Sequence, residues 1–154
     1  MEPQKILIDN RQKPKVQSQP LSRKTEQILN ALGCKACEIS LVIMDDKGIK
    51  ELNKTFRNVP NPTNVLAFPM QEGEFGNISP GLLGDVVISA QTAEREAGEA
   101  GIALEERMSQ LLIHGILHLV GFDHEKGTEQ ARDMEKKSLE LLRLIEENQN
   151  LSAF

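Results

Sequence analysis

The stretch from about Leu104 to Val120 constrains the fold more than any other part of the chain. It reads as a helix that is apolar nearly all round, with Leu104, Met108, Leu111, Leu112, Ile113, Ile116, Leu117, Leu119 and Val120. A helix of that kind has no solvent face and belongs at the centre of a core. It nevertheless carries His114 and His118, four residues apart, so that both rings rise from one side about 6 Å from each other. Burying imidazoles there is costly unless they are hydrogen-bonded or bound to a metal. Gly121 then ends the helix and lets His124, the third and last histidine, swing back.

Two imidazole nitrogens so placed can reach one ion at about 2.0 to 2.1 Å. Three neutral imidazoles with a fourth position left to water is the arrangement of catalytic zinc, whereas a structural site closes its shell with four protein ligands. His114, His118 and His124 are therefore the expected metal ligands, with one zinc ion as the expected cofactor. Nickel, cobalt or copper would also bind such a set. Asp123 reads either as a hydrogen-bond partner that orients a ligand imidazole or as a turn residue. Gly115 costs about 1 kcal/mol in a helix interior relative to alanine. It stands where H-E-x-x-H metalloproteases carry the glutamate that acts as general base. Close packing against a strand, or a metal face kept open to a bulky substrate, would each account for it, and on either account a peptidase loses its base.

At 154 residues the chain has the size of one domain, 1–154, that buries about 70% of its unfolded surface. With no Trp, no Tyr and five Phe, its core must be aliphatic. The absence of a run of about 18 apolar residues and of a signal-like N-terminus predicts a soluble, cytoplasmic protein without membrane attachment. A net charge of −5 argues against a generally basic nucleic-acid surface, so any basic contact must be local. Positive charge concentrates in the first third, at Lys5, Arg11, Lys13, Lys15, Arg23 and Lys24. Cys34 and Cys37 form a lone C-x-x-C between a helix-like and a strand-like stretch, the reverse of the redox order, and read first as an incidental apolar pair, with redox sensing and adventitious metal binding as the lesser readings.

In chain order, Lys5 to Asp9 reads as a strand, and about Pro20 to Leu32 as a helix with Ser22 as its cap and Gly33 as its stop. A strand at about Glu38 to Met44 precedes an Asp-capped helix from about Asp46 to Phe56, which is expected to bury Ile49, Leu52 and Phe56. Four of the seven prolines then fall between Arg57 and Gly84. Asn64 to Phe68 and Leu82 to Ser89 are strand candidates within that connector. Between them Gln71 to Gly81 reads as a mobile surface loop of the kind that borders active sites. Helices follow at about Ser89 to Ala100, Leu104 to Val120 and Thr128 to Asn148.

The string H-G-I-L-H-L-V-G-F-D-H at His114 to His124 resembles the signature of the YbeY family of bacterial endoribonucleases and ribosomal RNA maturation factors. Leu52 to Arg57, Pro62 to Pro69 and Gly84 to Ser89 resemble further blocks of that family, in order over nearly the whole chain. The resemblance implies an α+β fold, a small mixed four-stranded sheet covered by helices and distantly zincin-like. It also implies a zinc-dependent endoribonuclease acting on single-stranded ribosomal RNA, in 3′ end maturation of the small-subunit RNA and in ribosome quality control. His114, His118 and His124 fall on the family's metal ligands, and Arg57 on its active-site arginine. Asn64, Ala67 and Phe122 depart from the usual Asp, Ser and Tyr.

The chemistry is consistent with that. Zinc on three imidazoles brings the pKa of water towards 7 and polarises a phosphoryl oxygen. Arg57 suits a phosphate through bidentate donation, although a surface salt bridge is the plainer role. His114 and Arg57 are the catalytic candidates, and Asp85 is a lesser one, as a general acid or base or merely an exposed strand residue. The acidic balance predicts that selectivity depends on the small ribosomal subunit, a ribosomal protein or a ribosome-associated GTPase. Two rivals remain: a non-catalytic ribosome-assembly factor with a structural metal, and a metallopeptidase.

Overall fold

The computed structural model describes residues 4–12, 16–70, 81–122 and 127–151. The expected loop at 71–80 lies outside them, as do Asp123 and His124. Four strands, β1 (Lys5–Asn10), β2 (Glu38–Met44), β3 (Val65–Pro69) and β4 (Leu82–Ser89), form one sheet in the order β1-β2-β4-β3. The first three in that order are parallel, and β3 runs antiparallel on the outer edge of β4. Helix α1 (Ser18–Ala31) makes the crossover from β1 to β2 that a parallel pair requires. Helix α2 (Asp46–Arg57) carries the chain from β2 past the place of β4 to β3. Helices α3 (Ala90–Ala100), α4 (Leu104–Leu119) and α5 (Thr128–Ile145) follow β4.

Side-chain alternation divides the sheet between two cores of unequal size. On one face Ile39, Leu41, Ile43, Val86 and Ile88 meet α1, α4 and α5 in the main core. On the other, Met44, Leu66 and Val87 meet Ile49 of α2 in a small one. As its composition demands, α4 is central: Met108, Leu111, Leu112, Ile113, Ile116, Leu117 and Leu119 are all buried. Its end is also as read, with Val120 as the cap and Gly121 at φ 102°, a left-handed value that glycine accepts without strain.

Two helix expectations fail locally. Helix α1 starts at Ser18 behind Gln17, which makes no side-chain capping bond, so Ser22 is an interior residue and not the cap. Phe56 is 65% exposed rather than buried: it stands next to last in α2, with its ring edge to face against Phe68 at 5.5 Å. The start of α2 is well secured. The Asp45 side chain accepts from the Gly48 N–H at 2.8 Å, and Asp46 takes hydrogen bonds from the Ser89 and Thr92 hydroxyls, both at 2.6 Å, and from Arg95 at 2.8 Å. Burial pushes the Asp46 carboxyl up, but these two hydroxyls and the guanidinium outweigh it and hold its pKa below the usual carboxylate value. Cys34 and Cys37 lie in the connector from α1 to β2 as free thiols. Desolvation, then the hydrogen bond and charge of Cys34, raise Cys37 to about 11.

Candidate active site

Gly115 sets the position of the histidines. A Cβ built on it would meet Cγ1 of Val86 at 2.6 Å, Cγ2 of Val86 at 3.1 Å and Cγ2 of Val65 at 3.4 Å. Helix α4 thus lies against β4 and the edge strand β3 with no room for a methyl group, which supports close packing as the reason for the glycine. Beside this contact the helix presents His114 and His118 from one side, both half-buried. Their Nε2 atoms are 3.1 Å apart, and the rings meet edge to face with centroids 4.6 Å apart and planes at 73°.

That separation suits two ligands of one ion. An ion about 2.05 Å from each nitrogen would subtend roughly 98° between them, close to the tetrahedral value. Two neutral imidazoles also fit the chemistry of a borderline divalent ion such as zinc. The expected third ligand, His124, lies outside the described residues. Among the described residues no group of three potential ligands is gathered.

Arg57 closes α2 and is exposed, with Asn58 behind it as a left-handed cap at φ 58°. It makes no hydrogen bond or ion pair with either histidine. The link between them is β3. Phe56, next to Arg57, sits edge-on to Phe68 of β3 at 5.5 Å, and Gly115, next to His114, abuts Val65 of the same strand from the other face. Arg57 and the histidine pair are therefore linked through opposite faces of the edge strand β3. Asp85 lies on the Arg57 side of the sheet and not on the histidine side. It pairs with Phe68 in register and alternates with Val87 onto the α2 face, away from α4.

The departures from the resembled family fall close by. Ala67 shares the α4 side of β3 with Val65 and brings no hydroxyl there. Asn64 enters a polar network that its sequence context does not announce. Its amide donates to both oxygens of Glu96 at 3.2 and 3.3 Å, and Glu96 accepts two bonds from Arg107 at 3.1 and 3.0 Å. Arg107 also donates to Gln110, a buried residue one turn before His114. An aspartate at 64 would face the Glu96 carboxylate, so the amide suits this neighbour. Only the helical spacing of Arg107, Gln110 and His114 along α4 hints at the network in sequence.

Residues 7–146 match the profile of the family described as Endoribonuclease YbeY. A relative so named from Syntrophotalea carbinolica is 48% identical over 144 residues, 92% of this chain and 96% of its own. One from Aquifex aeolicus is 51% identical over 129 residues, 84% of this chain and 81% of its own. In three dimensions the chain is similar to the solution structure of the Thermotoga maritima protein TM1509, at 27% identity and a TM-score of 0.65 over 91% of this chain and 88% of that one.

Proposed function

This chain belongs to the endoribonuclease YbeY family, and from that premise we propose that it is a metal-dependent hydrolytic endoribonuclease of ribosomal RNA. The observation that carries the reading is the His114–His118 pair, two imidazole nitrogens 3.1 Å apart on a helix whose intervening residue next to His114 is glycine and not glutamate. A peptidase would need that carboxylate. His114, His118 and His124 would hold the metal, with zinc first among candidates. When bound, the ion supplies positive charge for a phosphoryl oxygen and lowers the pKa of water.

The chain's own residues do the rest. Half-burial of the rings limits the water that reaches them. Gly115 locks α4 onto β3 and β4, so the ligand rings are held in place by packing rather than by long side chains. Arg57, across the edge of β3, donates to non-bridging oxygens as charge grows on them in the transition state. The substrate is single-stranded RNA, and the biological target is the 3′ end of small-subunit RNA together with ribosome quality control. With a charge of −5, selectivity comes from the small ribosomal subunit, a ribosomal protein or a ribosome-associated GTPase. No described helix is long and apolar enough to cross a membrane, in keeping with work on ribosomes in the cytoplasm.

His114→Ala tests this reading. The variant is expected to keep its fold by circular dichroism and to lose RNA cleavage by at least 100-fold in single-turnover assays. Unchanged cleavage by the purified folded variant would instead make the protein a binding factor in ribosome assembly.

A further inference from the structure

The outer face of α2 carries four cations in one row. Lys47, Lys50, Lys54 and Arg57 are all exposed, and none makes an ion pair or side-chain hydrogen bond with a described residue. At 100° per residue the four lie within about 80° of arc, and at 1.5 Å per residue they span about 15 Å of the helix. The opposite side of α2, with Ile49, Leu52 and Asn53, faces the sheet. Of the acids on this helix, Asp46 is committed to Ser89, Thr92 and Arg95, and Glu51 flanks the row without bonding to it. In a chain of net charge −5, such a row is a local exception. It runs to Arg57, beside which Phe56 stands 65% exposed against Phe68 of β3, the strand whose other face meets the histidine helix.

We infer that the α2 ridge is a track for the phosphates of the single-stranded RNA substrate, leading the strand to Arg57 and over the ring of Phe56 onto the edge of β3. The inference rests on the endoribonuclease reading and adds the route by which RNA enters. A file of cations beside an exposed aromatic ring is the combination by which proteins hold single strands without reading sequence. An anionic membrane fits less well. It would present charge to the whole face of an acidic protein and not to a row one residue wide, and Phe56 is the sole strongly exposed aromatic on this helix.

The test is the intact, metal-loaded protein against a variant carrying Lys47→Gln, Lys50→Gln and Lys54→Gln, which leaves Arg57 and the histidines untouched. Single-turnover cleavage of a single-stranded oligoribonucleotide is measured against enzyme concentration at several salt concentrations. Each phosphate contact on a single strand contributes about 0.7 to the slope of log affinity against log salt. Three contacts then lower that slope by about 2 and, at 0.15 M salt, raise the half-saturating enzyme concentration by about 50-fold. The maximal rate should change less than twofold. Phe56→Leu, which keeps an apolar side chain but removes the ring, should raise half-saturation about tenfold without altering the slope. A triple variant with wild-type half-saturation and slope overturns the ridge while leaving the nuclease intact. Absence of cleavage by the wild type refutes the enzyme reading and the ridge with it. Loss of binding to phosphatidylserine vesicles, with RNA half-saturation unchanged, would make the ridge a membrane surface and also overturn the proposal.

Discussion

Replacing Gly115 by alanine should damage the protein in a way that depends on one partner side chain. In a helix interior the change is worth about 1 kcal/mol of added stability. Here the new methyl would lie 2.6 Å from Cγ1 of Val86, where carbon contacts prefer about 3.5 to 4.0 Å, so something must move by about 1 Å. Val86 is fully buried and β-branched, with little rotamer freedom in a strand, and it cannot yield alone. Overpacking of this kind costs about 1 to 3 kcal/mol. The net expectation is a destabilisation of about 1 kcal/mol, together with a lift of α4 from β3 and β4. A displacement of about 1 Å at the reacting groups costs on the order of 100-fold in rate. Urea denaturation and single-turnover RNA cleavage read the two effects. The decisive comparison is the V86A background, where the methyl has space and Gly115→Ala should become stabilising by about 1 kcal/mol. The packing argument fails if Gly115→Ala stabilises the otherwise wild-type protein by that full amount and leaves cleavage unchanged.

Two further outcomes follow from charges and thiols away from the histidines. Asp46→Asn should destabilise the fold by about 1 to 2 kcal/mol at pH 7, through loss of charge-assisted bonds that join α2 to α3. Because the folded pKa of Asp46 is depressed, its contribution is fully present above the unfolded value of about 3.9 and is lost as the pH falls through the folded one. The difference between variant and wild type should therefore shrink below about pH 4, and a difference of equal size at pH 2.5 and pH 7 would contradict the assignment. Cys37, buried and with its pKa raised to about 11, should react with a thiol reagent at pH 8 far more slowly in the folded protein than in urea. Equal rates in the two states would show that the thiol is not held as the structure has it.

Much of the architecture is legible in sequence because it rests on local signals. The β2 and β4 boundaries at Glu38–Met44 and Leu82–Ser89 follow from short apolar runs, and α4 announces its central place by having no polar face. What fails depends on where the neighbours stop. Ile49, Leu52 and Phe56 share one helical face, yet Phe56, next to last in α2, stands 65% exposed, which periodicity along the helix does not convey. The side on which Asp85 falls is likewise hidden, since β4 is covered on both faces and its apolar run V-V-I shows no alternation. The insertion of β4 between β2 and β3 is a long-range choice, and so is the meeting of Asn64 with Glu96. Of the site itself, the histidine spacing is read directly from the chain. The role of β3 as the common edge between His114 and Arg57 appears only once the sheet is assembled.

The most direct measurement is metal content against cleavage in one preparation. The purified protein is stripped with a chelator, titrated with zinc and followed by elemental analysis and single-turnover cleavage of a small-subunit RNA 3′ fragment, with His114→Ala carried in parallel. The account predicts activity that rises with zinc and saturates at one ion per chain, while the folded variant neither retains the ion nor cleaves. Full cleavage by the stripped protein, or a variant that cleaves as the wild type does, would contradict it.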